Sequence, residues 1–149
     1  MEMNVGIIGY GYWGPNLVRN FLATENCNVR CVADQRPERL AAAQKCHPSI
    51  QTAPSADDVF RDPEIDAVAI ATPVRTHYPL IQRALQSGKH ALAEKPMTMS
   101  RAQAAELIAL AKTKSLTLMV DHTFLYTGAV RKIKQIISSG DLEIGRAHV

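Results

Sequence analysis

Val5-Gly6-Ile7-Ile8-Gly9-Tyr10-Gly11-Tyr12-Trp13-Gly14 is the stretch that decides the fold. Its first four residues predict a buried strand, and the next six spell G-x-G-x-x-G. Pro15 then opens a helix, at a position where a missing amide costs nothing because first-turn N–H groups have no intrahelical partner. Leu17, Val18, Phe21 and Leu22 share one face of that helix. Strand, glycine turn and helix in this order supply the context the motif needs. The first glycine permits a tight turn, the second lets backbone approach a pyrophosphate, and the third lets helix and strand pack closely. The head of the helix presents N–H groups and the positive end of a dipole. Gly9, Tyr10, Gly11, Tyr12, Trp13 and Gly14 are therefore candidate cofactor-binding residues, Tyr12 and Trp13 through their backbone amides rather than their rings.

Outward from this loop, short apolar runs alternate with longer helical stretches, the pattern of a parallel sheet covered on both faces. Val29–Ala33 is a second strand, and Pro37 starts a helix through Leu40 and Ala43 that stops before Pro48. A weak third strand lies near Ile50–Thr52, and Ser55 caps a short helix through Val59 and Phe60. Ala67–Ala71 is apolar throughout, too much so for a sheet with one wet face. Thr76–Leu85 is helical, with Gly88 as its stop. His90–Ala93 is the fifth strand; Ser100 caps a helix carrying Ala104, Leu107, Ile108 and Ala111. Leu116–Val120 is the sixth, and a last helix runs through Val130, Ile133, Ile136 and Ile137. Six strands and about as many helices predict an α/β fold, a Rossmann-type doubly wound parallel sheet, over residues 1–142.

A chain of 149 residues can bury one good core but is short for a two-domain enzyme. Its net charge of +3 is small and scattered, which argues against nucleic acid as a partner. No apolar run approaches the ~18 residues that a membrane span needs. Met1-Glu2-Met3-Asn4 leads into the first strand without a signal core, so a cytoplasmic protein is expected. Cys27, Cys31 and Cys46 fit no zinc or C-x-x-C spacing, and Cys27 and Cys31, beside or within a predicted buried strand, read as small hydrophobes. No metal site is predicted.

Asp34 closes the second strand twenty positions after Gly14. A carboxylate there can accept both hydroxyls of an adenosine ribose, and its charge opposes a 2′-phosphate, so NAD is favoured over NADP. Arg36 and Arg39 lie close by, however, and an arginine there can receive that phosphate instead. Ligands of open α/β sheets bind beyond the carboxyl ends of the strands. Three more polar clusters fall there: Thr72-Pro73 with His77, Glu94-Lys95-Pro96, and Asp121-His122-Thr123. Singly each would be a solvated or capping group; together with a phosphate loop they describe a site.

The chain resembles the Gfo/Idh/MocA (glucose–fructose oxidoreductase, inositol dehydrogenase, MocA-like) oxidoreductases from about Val5 to Leu142. The resemblance rests on G-Y-G-Y-W-G, A-T-P-V-R-T-H-Y, A-L-Q-S-G-K-H-A-L-A-E-K-P and V-D-H-T-F-L-Y-T-G-A-V. The E-K-P motif is the specific part. The wording around the glycine loop and D-H-T-F looks most like members acting on sugars or nucleotide sugars. The resemblance implies an NAD-dependent enzyme that moves a hydride between nicotinamide and a hydroxyl carbon of a sugar, nucleotide sugar or cyclitol. It implies that Lys95 is catalytic, binding the reacting hydroxyl and assisting its deprotonation. It further implies a cis Lys95–Pro96 bond that aims this side chain. A partly buried lysine beside a cationic ring would lose some preference for its charged form, which suits that role. By the same resemblance Thr72, Pro73, His77, Glu94 and Lys95 bind the cofactor, the first three lining the nicotinamide ribose with Glu94 nearby, while Lys95, His122 and Thr123 contact substrate; many relatives carry Asn in place of Thr123.

By the same resemblance, the family's C-terminal α/β substrate domain, which carries a D-x-x-x-H-type motif and whose histidine is often the main acid/base, is expected to be missing from this chain. The fragment alone is therefore expected to be inactive, and the full-length protein to be a homo-oligomer. Residues 143–149, Glu143-Ile144-Gly145-Arg146-Ala147-His148-Val149, are expected to be a non-native tail, because their codons can spell a common sequencing adapter. The alternative functional class is a non-catalytic NAD-binding sensor or regulator. Retention of Lys95 favours the enzyme, since a pure sensor has no use for it.

Overall fold

The structure, a computed structural model, describes residues 2–140; the expected domain end at Leu142 and the tail Glu143–Val149 lie outside them. Six strands form one parallel sheet: β1 (Met3–Ile8), β2 (Cys27–Ala33), β3 (Gln51–Ala53), β4 (Ala67–Ile70), β5 (His90–Ala93) and β6 (Leu118–Val120). Their order is β3-β2-β1-β4-β5-β6, so the direction of winding reverses between β1 and β4. At such a reversal the two connections leave in opposite directions and a crevice opens at the carboxyl edge. The helices are α1 (Gly14–Leu22), α2 (Pro37–Cys46), α3 (Ala56–Arg61), α4 (His77–Gln86), α5 (Arg101–Thr113) and α6 (Gly128–Ser139).

Alternation along the strands sends side chains to two cores. Val5 and Ile7 of β1 pack with Val32, Ala69, Leu17 and Val18 under α1 and α2. Ile8 goes the other way, joining Val68, Ile70, Ile81, Leu85 and Leu107 under α3, α4 and α5. Each aliphatic side chain so buried contributes roughly 1.5–3 kcal/mol. Ser55 Oγ accepts from the Asp57 amide at 3.1 Å and Ser100 Oγ from the Gln103 amide at 3.3 Å, both at helix heads where the sequence places them. Gly88, after α4, takes φ +76°, the left-handed stop expected of it.

β1 and β2 start two residues earlier than the sequence reading has them, β3 lies one residue later and β4 stops one residue sooner, at Ile70; two further boundaries differ for a local reason. A 3₁₀ turn at Val74–Thr76 precedes α4, which therefore opens at His77 rather than Thr76. β6 begins at Leu118 rather than Leu116, because the Leu116 amide still bonds back to the Ala111 carbonyl at 2.9 Å and Ser115 takes φ +55° to leave the helix. Among the described residues no helix is long and apolar enough to cross a membrane.

Several apolar residues on the helix faces are not covered. Leu22, Ile108, Ile133 and Ile137 are all exposed, and α6 buries none of its residues. The sheet face over β4, β5 and β6 on the α1 side is correspondingly open, with an apolar depression of about 240 Å³ between Phe21, Ala69, Leu92 and Met119. Cys31 is buried, and burial pushes its thiol up to about 11, so it packs as a hydrophobe rather than acting as a thiolate. Lys89 is also buried, with Nζ donating to the carbonyls of Asp62 (2.6 Å) and Ile65 (2.8 Å), a tie between loops that its surface-like sequence context hid.

At Gly6 the sheet and α3 approach closely. A Cβ there would overlap Val59 Cγ1 of α3 and stand 3.2 Å from Ile65 Cδ1. Gly6→Ala is expected to destabilise the fold by about 1–3 kcal/mol in denaturant unfolding, the range for overpacking. An unchanged midpoint would show that α3 does not lie so close.

Candidate functional site

The turn from β1 to α1 is built by close backbone approach. Gly9 adopts φ +97°, and its amide donates to the Ala33 carbonyl at 2.7 Å, tying the loop to the end of β2. A Cβ on Gly9 would stand 2.6 Å from the Ala71 carbonyl oxygen, and one on Gly14 would overlap the Gly9 carbonyl oxygen. Trp13 stands at the N-cap of α1 and supplies no side-chain acceptor to its first-turn amides. Pro15 has no N–H and the Asn16 amide bonds the Trp13 carbonyl at 2.9 Å, so the Gly14 amide is the open one of this turn, at the sheet's carboxyl edge where an anion can be held.

The aromatic residues of the loop divide. The Tyr10 ring is buried with Leu17, Val18 and Ala43, and only its backbone faces the site. Tyr12 is exposed and meets Trp13 edge to face, with ring centroids 5.6 Å apart. A cleft of about 720 Å³ runs from this loop across the reversal point. Gly9, Gly11 and Tyr12 line it beside Asp34, Gln35 and Arg36 at the β2 end, and Thr72, Pro73, Arg75 and Thr76 at the β4 end.

Asp34 is held by more partners than its sequence position discloses. Oδ2 accepts from the Tyr10 amide at 2.8 Å and from Arg36 Nη2 at 3.1 Å. Oδ1 accepts from the Arg36 amide at 3.0 Å and from Arg36 Nε at 3.1 Å. Burial alone would raise this carboxyl, but the guanidinium and the two amides outweigh it and hold Asp34 below the usual carboxylate range.

His77 lies beneath the cleft rather than on its wall. It is 1% exposed, with Nε2 2.7 Å from the Thr72 carbonyl and Nδ1 2.9 Å from the Pro96 carbonyl. It thereby bridges the loop after β4 to the turn after β5, both of which carry predicted site residues. Thr72 Oγ1 bonds Thr76 Oγ1 at 2.7 Å, a second brace that sequence reading did not anticipate.

At the end of β5 the Lys95–Pro96 bond is cis. Glu94 is buried, with its amide bonded to the Ile70 carbonyl at 3.0 Å. Burial, then the charge of Asp121 at the end of β6, push its carboxyl upward; the Lys95 amide and charge oppose this less strongly. Lys95 is exposed, where the sequence reading expects partial burial. The reason is positional: Lys95 lies beyond the last core residue of β5, and nothing described covers the edge there. His122 and Thr123 are exposed as well, at the head of a 3₁₀ turn (Thr123–Tyr126) that follows β6. None of Lys95, His122 and Thr123 lines the cleft. Among the described residues no group of three or more His, Cys, Asp or Glu side chains is placed to hold a metal ion.

Residues 3–122 match the Gfo/Idh/MocA family, an oxidoreductase family with an NAD-binding Rossmann fold. The chain belongs to this family. It is thus an NAD(P)-binding domain, and the Gfo/Idh/MocA resemblance read from E-K-P holds. An uncharacterised oxidoreductase of Escherichia coli is 33% identical over 141 residues, covering 95% of this chain and 40% of that protein. UDP-N-acetylglucosamine 3-dehydrogenase of Acidithiobacillus ferrooxidans is 32% identical over 138 residues, covering 91% of this chain and 42% of the enzyme. Among solved structures, a 3-ketoreductase from Actinomadura kijaniata in complex with NADP and TDP-benzene superposes with a TM-score of 0.86 at 28% identity. That match covers 94% of this chain and 43% of the reductase. This Gfo/Idh/MocA chain therefore spans about two-fifths of the length of the relatives it matches.

The state of Glu94 gives a direct test of the strand-end geometry. A raised folded-state value means that the folded chain binds more protons than the unfolded one just above the ordinary glutamate range, so stability falls as pH rises through that window. Glu94→Gln should raise the thermal midpoint at pH 7, by roughly 2–4 °C per kcal/mol relieved. The gain should vanish below about pH 4, where glutamate is protonated in both states. An equal effect at both pH values would show that Glu94 is not charged against burial and Asp121.

Proposed function

We propose that this chain is the cofactor-binding part of a longer NAD(P)-dependent oxidoreductase. The reaction would move a hydride between nicotinamide and a hydroxyl-bearing carbon of a sugar, nucleotide sugar or cyclitol. The observation that carries this reading is the convergence of the glycine turn, Asp34, the Thr72–Pro73 loop and the Glu94–Lys95 turn on one carboxyl edge of the sheet. Such an edge fits an anionic dinucleotide: the glycine loop and the open Gly14 amide at the head of α1 for its diphosphate, polar groups at the β2 end for its adenosine ribose, and a cleft across the reversal point between them.

The bound nicotinamide would supply the hydride acceptor or donor. Asp34 and the glycine loop would fix the adenosine half, and Thr72 and Pro73, braced by His77 and Thr76, would bound the other. Lys95, past the end of β5 and exposed, would hydrogen-bond the reacting hydroxyl and take its proton as the carbon loses hydride. In the reverse direction it would return that proton. The sugar class is supported by the relatives, one acting on a UDP-amino sugar and another solved with a TDP compound. Most substrate contacts, a second acid/base group and assembly into oligomers would belong to the remainder of the protein, since the relatives are more than twice as long.

In a protein extended to the length of its relatives, Lys95→Met should lower turnover roughly 100-fold or more, as loss of a general base does. Affinity for NADH should stay within about threefold, because Lys95 does not line the cofactor cleft. Full turnover by the variant would exclude Lys95 from the chemistry. Parallel loss of cofactor binding would make it a structural residue instead.

A further inference from the structure

His77 does not line the cleft, yet two loops of the site are fastened to its ring. It opens α4, whose Ile81, Ala84 and Leu85 are buried with Val68 and Ile70 of β4 and Ala93 of β5. The ring is thus mounted on the packed part of the fold. Each nitrogen faces a different loop: Nε2 the Thr72 carbonyl at 2.7 Å, Nδ1 the Pro96 carbonyl at 2.9 Å. Thr72 and Pro73 line the cleft, whereas Pro96 directly follows Lys95. A planar ring fixes the separation of its nitrogens, so the two carbonyls are held in a set relation.

The two ties are unequal. Thr72 has a second support, its Oγ1 bonded to Thr76 Oγ1, which also reaches the Pro73 carbonyl at 2.7 Å. Glu94 is anchored by its amide and Ser100 caps α5. In residues 95–99 between them, the Nδ1 contact is, among the described residues, the one hydrogen bond reaching another part of the fold. Its loss frees the backbone that carries the exposed Lys95. A misplacement of about 1 Å at a reacting group can cost on the order of 100-fold in rate.

We propose that His77 is a positioning residue, touching neither cofactor nor substrate, which sets the aim of Lys95 against the Thr72–Pro73 wall of the cleft through the Pro96 carbonyl. The inference rests on the oxidoreductase reading above and adds the residue on which its alignment depends.

Two amide substitutions separate the ties. An asparagine nitrogen falls near the place of Nδ1 and a glutamine nitrogen near that of Nε2, and both donate to carbonyls. His77→Asn therefore keeps the Pro96 tie and drops that to Thr72; His77→Gln does the reverse. In a protein extended to the length of its relatives, His77→Gln should lower kcat roughly 10- to 100-fold with the KM for NADH within about threefold. His77→Asn should keep kcat within about threefold and raise that KM instead. In this chain the Pro96 carbonyl ¹³C resonance, read through the Met97 amide, should move in His77→Gln and stay near its wild-type place in His77→Asn. A purely structural histidine would lower the thermal midpoint in both variants without splitting the kinetic constants. Equal kinetic effects, or full turnover in His77→Gln with the carbonyl displaced, overturn the proposal. So does a fall in kcat in His77→Asn with the carbonyl unmoved, so one folded variant suffices. Full turnover in Lys95→Met overturns instead the reading on which it rests.

Discussion

A side chain on Gly14 would occupy the place of the Gly9 carbonyl oxygen, and the rest of the site depends on that exclusion. Because neither residue carries a Cβ, α1 starts directly against the end of β1 and its first amides face the carboxyl edge. The same turn presents the Tyr10 amide to Asp34 and bonds the Gly9 amide to Ala33, so the ends of β1 and β2 are locked to one loop. The reversal of strand order between β1 and β4 does the rest, leaving the crevice that this loop overlooks. Loop, carboxylate and cleft are consequences of one backbone contact.

The elements were largely legible because each is set by local chemistry. His90–Ala93 is bounded by Gly88 before it and the Glu94–Lys95–Pro96 turn after it, and the strand has those limits. Ser55 and Ser100 mark helix heads because their hydroxyls can reach the open amides, and both do. Burial was less legible. Ile133 and Ile137 recur at helical spacing as core residues would, yet they are exposed, since periodicity states which face is apolar and not what covers it. Gly6 reads as a weak spot in a strand, but its purpose, room for Val59, exists only once α3 has folded over β1.

The site divides along the same line. The glycine loop and the position of Asp34 follow from spacing in sequence. The grip of Arg36 on Asp34 depends on rotamers, and it changes the electrostatics from a bare anion that repels a 2′-phosphate to a nearly neutral pair. The resemblance sets His77 beside the nicotinamide ribose; packing puts it underneath, where its ring joins the Thr72 carbonyl to the Pro96 carbonyl, nineteen positions further along the chain than His77 itself. Lys95 was expected to be partly buried, and burial is a property of whatever covers a residue. Relatives more than twice as long have much more chain with which to do so.

The most direct measurement is an amide-resolved NMR titration of the ¹⁵N-labelled chain with ADP-ribose, which carries the diphosphate and adenosine without the nicotinamide. The largest shifts should fall on the amides of Gly11, Tyr12, Trp13, Gly14 and Asn16 at the head of α1, with a second group at Asp34 and Arg36. Saturable shifts confined to other parts of the sheet, with that loop unmoved, would contradict the assignment of the Gly9–Gly14 turn as the diphosphate site.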